Sequence, residues 1–341
     1  MNFYLLILLY FVIILAHIYL YIKICQKYNI CKIYDSINKR EVIQSVGILV
    51  VLFLPLFFLV ATWIYPDIKQ IVIETVPRPL IFFVSIIILG SISLYDDIKT
   101  LDFRYRLIIQ FIIAFLSLSI FIFPITGIFP IKLEQILIIF FIIFIINVTN
   151  FYDGLDGMLN INTIFVCLTV LIVSYYEQKF YISTGIAIAL LPIVTAILPL
   201  NFPIAKVFMG DVGSVVIGYA TSIILIDLFV NKLYWIFLII YFIPSVDVIF
   251  TIVKKIKNKI DPWARLFDYI FLIPVIIFKK KHTFTTIPFL ICNIINLILV
   301  VASYNIKNPE ILFLNFVINI IFLVYCYNFF SKKKSRKFQN K

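Results

Sequence analysis

The chain has 341 residues, 63% of them apolar and only 13% charged, with a formal net charge of +12. A soluble domain is nearer half apolar and a quarter charged, so this composition excludes a water-soluble globular fold and makes lipid part of the solvent. The excess of Lys and Arg reads as orientation signal and anionic-lipid contact, and no nucleic-acid partner is expected.

About 20 apolar residues cross a bilayer as one helix. Eleven candidate runs follow one another along the chain, at 3–22, 43–65, 78–95, 107–125, 133–149, 161–176, 181–200, 212–229, 233–253, 284–304 and 310–330. They predict an all-α polytopic integral membrane protein of about 11 transmembrane helices. One membrane domain is expected over 1–331, with a basic tail at 332–341. The first run has no basic residue ahead of it and no small-residue cleavage site after it, which predicts a retained helix.

With the N-terminus outside, 23 of the 29 Lys and Arg fall in inside segments, chiefly 23–40, 99–106, 254–281 and 332–341, and six fall outside. Basic residues mark cytoplasmic loops, so the C-terminus is expected in the cytoplasm. Cys25 and Cys31 could pair only in an oxidising compartment, and the charge pattern places them inside. The stretch from Phe267 to Phe278 is too short to span and predicts a re-entrant or interfacial segment.

Ionisable groups near membrane depth are costly and default to functional hypotheses. Four constellations stand out, all on the predicted cytoplasmic side. Asp96 and Asp97 end the third span, with Lys99, Arg104 and Arg106 following. Adjacent carboxylates need a cation, a shared proton or water. Asn147, Asn150, Asp153, Gly154, Asp156 and Gly157 lie between the fifth and sixth spans. The two Asn share a helix face, and glycine permits a sharp turn and close approach to a ligand. Asn201, Lys206 and Phe208 lead into Gly210, Asp211, Gly213 and Ser214. Such a sequence before a helix offers N–H groups, a hydroxyl and a carboxylate together, which suits an anion or a phosphate-bound metal. Asp247 lies inside the ninth span. Hard oxygen ligands favour magnesium or manganese over zinc, and a carboxylate-held magnesium at a lipid–water boundary points to phosphate chemistry.

Asp96-Asp97, the Asn147, Asn150, Asp153, Asp156 series, and Phe208 to Ser214 with Gly218 together resemble the signature of the polyprenyl-phosphate N-acetylhexosamine-1-phosphate transferases, which include the phospho-N-acetylmuramoyl-pentapeptide transferases. The eleven runs resemble the branch that initiates O-antigen and other lipid-linked glycans. The resemblance implies a Mg2+-dependent (Mn2+ also suits) phosphoglycosyltransferase of the bacterial inner membrane. It would transfer an N-acetylhexosamine 1-phosphate from a UDP-sugar to undecaprenyl phosphate, release UMP, and start a cell-envelope glycan such as lipopolysaccharide. A homodimer is compatible with it. By analogy Asp211 holds the metal, with Asp153 as a second ligand and a catalytic group. Asp96 and Asp97 orient or deprotonate the lipid phosphate, or help with the metal. Asn150, Asp156, Asn201 and Phe208 line the nucleotide pocket, with Phe208 against uracil. Lys99, Arg104, Lys206 and Lys254 are the cations available to screen the phosphates.

Two departures from the family pattern are visible. The Gly-Gly-containing loop into the second span is shortened between Asp35 and Gly47. In the last large loop, Asp261, Pro262, Trp263 and Arg265 resemble the family's opening, but its histidines are missing; the chain has only His17 and His282. Two competing readings follow. One is a catalytically impaired paralogue that binds lipid carrier or nucleotide. The other is a transporter or flippase, which would place its carboxylates at the midplane and show a repeated half.

Overall fold

The computed structural model describes residues 3–35, 40–65, 79–260 and 269–339. It is built almost wholly of helices: α1 (Phe3–Tyr28), α2 (Ile48–Ile64), α3 (Pro79–Ile98), α4 (Phe103–Ser117), α5 (Ile131–Tyr152), α6 (Met158–Glu177), α7 (Ile182–Asn201), α8 (Gly210–Val230), α9 (Tyr234–Ile240), α10 (Phe242–Lys257), the single turn α11 (Ile273–Ile276), α12 (Thr283–Ile306) and α13 (Glu310–Gln339). Each of the eleven apolar runs corresponds to a helix or a helix pair. Among the described residues, nine helices are long and apolar enough to cross a membrane. The α9 and α10 helices together match that length and apolarity across a 61° bend, and α2 is a shorter apolar helix. The chain is a polytopic membrane protein.

One expectation changes in detail. The fold is not purely helical: β1 (Lys32–Asp35) and β2 (Arg40–Ile43) form an antiparallel hairpin. Ile43 at its edge bridges Val207 in parallel, with the Phe208 N–H donating to the Ile43 carbonyl at 2.7 Å. An open strand edge leaves backbone groups unpaired, and the segment before α8 satisfies them. Helix α13 runs on into the basic tail, as far as Gln339. In the stretch 267–278, the residues from 269 on fold as turns around α11 and do not span, as their number implied. Tyr269, Phe271 and Leu272 are buried there. The Asp247 carboxylate accepts the Ile270 N–H at 3.0 Å, which anchors this segment to α10.

Helix α8 is the axis of the bundle. Its buried residues run without a break from Val212 to Leu228. A helix apolar on every side is one covered by protein on every side, and α8 packs most closely on α5 and α3. Small residues permit this contact: a Cβ on Gly218 would stand 2.8 Å from the Ile146 Cα of α5. The ends of α3, α5, α7 and α10 and the starts of α4, α6 and α8 bring the polar motifs together at one end of the bundle.

Candidate active site

The site begins with helix ends. Asp96 ends α3 and is held by two donors: the Leu101 N–H at 2.6 Å and Arg106 Nη1 at 2.8 Å. The same Arg106 nitrogen donates to Asp211 Oδ2 at 2.8 Å. One guanidinium therefore bridges the first and third motifs. It sits half-buried, with its side chain 27% exposed against 9% for Asp96 and 31% for Asp211. Asp211 stands in the first turn of α8, where the helix N-terminus favours an anion.

The second motif closes α5. Asn147 donates to Gln110 Oε1 of α4 at 2.7 Å and to its own helix at Ile143. Asn150 reaches Ser214 Oγ at 3.3 Å. Asp153 follows as the first residue past the helix. Burial pushes its carboxyl well above the usual carboxylate range, and the charges of Asp211, Asp97 and Asp156 add to the effect. Gly157 then turns the chain at φ +76, and a Cβ there would press on Phe202 at 2.7 Å. Only glycine takes that turn without strain.

These groups meet in a cleft of about 610 Å³. Its polar lining holds Arg106, Gln110, Asn147, Asn150, Asp153, Asp211 and Lys255. Leu89, Ile92, Leu107, Ile109 and Val215 supply an apolar wall from α3, α4 and α8. Lys255, at the end of α10, is buried, and its ammonium lies 5.7 Å from the centre of the Tyr269 ring. Tyr269 in turn packs on Phe151 at 5.3 Å between ring centres.

Of the residues expected here, Asp153, Asp211 and Asn150 line this cleft, and Asp96 reaches it through Arg106. Asp156, Asn201 and Phe208 do not line it, each for a visible reason. Asp156 is buried and accepts the Ala205 N–H at 3.0 Å, while its other oxygen lies 2.9 Å from His282 Nδ1. Asn201 accepts the Gly157 N–H at 2.8 Å and donates to the Val207 carbonyl at 2.8 Å. Both tie the two motif loops together. Phe208 is engaged through its backbone with Ile43 of β2 and Val46 of the turn between β2 and α2. Asp97 lies beneath the cleft, bonded to Gln44, Ser45 and the backbone of α8. Among the cations, the cleft takes Arg106 and Lys255, where Lys99, Arg104, Lys206 and Lys254 had been expected. Arg106 was within reach of sequence reasoning as the third basic residue after Asp96-Asp97. No sequence signal separates Lys255 from Lys254. Asp261, Pro262, Trp263 and Arg265 lie outside the described residues.

Residues 79–229 match the sequence model of glycosyl transferase family 4. The chain is 34% identical over 113 residues to a phospho-N-acetylmuramoyl-pentapeptide-transferase of Streptococcus mutans, covering 33% of this chain and 32% of the relative. It is 26% identical to an undecaprenyl-phosphate alpha-N-acetylglucosaminyl 1-phosphate transferase of Thermotoga maritima, over 54% and 57% of the two chains. A phospho-N-acetylmuramoyl-pentapeptide-transferase of Wolbachia pipientis is 28% identical, over 68% of this chain and 74% of that one. The chain thus spans about a third of the first relative and less than two thirds of the second. The matched segment contains all three motifs and the helices α3 to α8 that carry them, so the likeness to glycosyl transferase family 4 falls on the part of the chain that builds the cleft.

Proposed function

We propose that the protein transfers an N-acetylhexosamine 1-phosphate from a UDP-sugar to undecaprenyl phosphate and releases UMP, starting a lipid-linked glycan at the cytoplasmic face of a bacterial inner membrane. The observation that carries this reading is the mixed lining of the cleft. Its lining combines Asp153, Asp211, Arg106 and Lys255 with aliphatic side chains such as Leu89, Ile92, Leu107 and Val215. A lipid phosphate needs both, and so does its union with a second, doubly phosphorylated anion. An oxygen of the lipid phosphate attacks the sugar-bearing phosphorus, the bond to the UMP phosphate breaks, and the charge leaves with UMP.

Magnesium fits the donor set. Among the described residues no cluster of three or more His, Cys, Asp or Glu side chains forms a metal cage. Mg2+ keeps several waters and is held by one or two carboxylates with the substrate's phosphates, which matches Asp211 and Asp153 as the pair that would hold it. Bound there, it would neutralise charge on the diphosphate during transfer. Arg106 and Lys255 supply the remaining positive charge, and Asn147, Asn150 and Gln110 supply neutral donors that orient the ligand.

The test incubates purified protein with undecaprenyl phosphate, MgCl2 and a panel of UDP-N-acetyl sugars, with UMP as the readout. Release with one member of the panel, lost on chelation, supports the reading. A panel without release, beside an active relative in parallel, sinks it. That negative result would favour the second reading, binding without turnover, which rests on the lack of a histidine in the described lining of the cleft.

A further inference from the structure

Asp96 and Asp97 are neighbours in sequence and opposites in surroundings. Asp96 holds the guanidinium that lines the cleft. Asp97 is not part of that lining, and its two oxygens meet four donors. Oδ1 takes Gln44 Nε2 at 3.1 Å and the Asp211 N–H at 3.0 Å. Oδ2 takes Ser45 Oγ at 2.7 Å and the Val212 N–H at 3.4 Å. A carboxylate offers about four lone-pair sites, so these donors fill Asp97 without a substrate.

The donors come from two places. Gln44 and Ser45 form the turn between β2 and α2. The other two are the first backbone groups of α8. A helix leaves its first N–H groups without intrahelical partners, and a side chain just before the helix usually satisfies one. Met209 in that place makes no such bond, and Asp97 of α3 makes it instead. Glycines permit the approach. A Cβ on Gly210, at φ +75, would stand 2.6 Å from Asp97 Oδ2, and a Cβ on Gly47 would stand 2.2 Å from the Gly213 Cα.

We infer that Asp97 is a positioning residue: it caps α8 from a neighbouring helix and ties it to the Gln44-Ser45 turn, which aims the Asp211 carboxylate into the cleft. The clamp stands on geometry alone, while its consequence for metal and turnover rests on the transferase reading. Half of it comes from residues 44–47, outside the segment that the family match covers.

The experiment compares full-length wild type, Asp97→Asn and Ser45→Ala in detergent. Amide hydrogen exchange is measured first, without metal or substrate. Exchange should speed up at least tenfold in Asp97→Asn at 44–47 and at 211–212 together, and by less in Ser45→Ala, with the middle of α8 unchanged. Mn2+ titration followed by electron paramagnetic resonance should then show a Kd at least tenfold weaker in Asp97→Asn. In the UMP assay kcat should fall at least tenfold, with KM for undecaprenyl phosphate within twofold and the pH profile of kcat unmoved. Unchanged exchange at 211–212 overturns the inference. So does a raised KM at full kcat, or loss of one limb of the pH profile, either of which puts Asp97 on the substrate. If Asp97→Asn does not fold, Ser45→Ala decides by the same readouts. A wild type that binds Mn2+ but releases no UMP defeats the transferase reading, and exchange and Mn2+ affinity still decide the clamp.

Discussion

At the scale of single residues, the cleft divides its charges unevenly. Asp211 and Asp153 face the ligand space, Arg106 spans Asp96 and Asp211, and Lys255 stands near Tyr269. Asp211→Asn keeps the shape and removes the charge. Turnover is expected to fall by about a hundredfold or more, equivalent to about 2.7 kcal/mol of barrier, with the melting temperature in detergent nearly unchanged; full activity would remove Asp211 from the metal role. Lys255→Met keeps the length of the stem and removes the ammonium. A rise of about tenfold in KM for the UDP-sugar is expected, about 1.4 kcal/mol, read from initial rates at varied donor. Asp153, Asp211 and Asn150 were legible in the sequence because carboxylates and amides in a greasy chain need a reason. Asp156 and Asn201 carry the same signal and serve loop architecture. Residue type alone does not separate a carboxylate that meets a ligand from one that meets a backbone N–H.

At the scale of elements, the site depends on joints between helices. The Gly47–Gly213 crossing has no room for a methyl group. Gly213→Ala should therefore force α2 and α8 apart at a cost of about 1–3 kcal/mol, visible as a lowered thermal midpoint. The second joint ties the Asp156 loop to the start of α12. His282 lies 2.9 Å from the Asp156 carboxylate, and Thr286 Oγ1 donates to the Asp156 carbonyl at 3.1 Å. His282→Leu removes a buried hydrogen-bonding partner of Asp156 and should destabilise by about 1–3 kcal/mol, measured by thermal unfolding with Thr286→Val as a milder companion. His282 was noted in sequence as lying past the family's histidine motif. The fold gives it a loop to hold.

For the whole molecule, membrane orientation is the open physical variable. The proposed topology places Lys132, Lys232 and Lys307 outside and Lys280 inside. In a variant lacking the five native cysteines, a membrane-impermeant maleimide added to intact cells should label Lys132→Cys and Lys307→Cys at once. It should reach Lys280→Cys only after permeabilisation; the reverse pattern would invert the protein. The apolar runs were legible because hydropathy over about 20 residues is a property of composition, which tertiary context does not alter. The β1–β2 hairpin was not, because two four-residue strands gain their stability from the partner edge at Val207, a contact far away in sequence.

Composition and local spacing alone determined that the chain lives in a bilayer, where its spans lie, and that its polar motifs sit at span ends. Those properties follow from the solvation of short segments, each of which carries its own answer. Tertiary structure decided what each neighbour in a pair meets: Asp96 holds the Arg106 guanidinium that lines the cleft, Asp97 clamps α8 to the Gln44-Ser45 turn, and Lys255 lines the cleft in place of Lys254. Consecutive residues on a helix point about 100° apart, and the rotation of each helix about its axis is set by the packing of its neighbours, here chiefly against the fully buried α8.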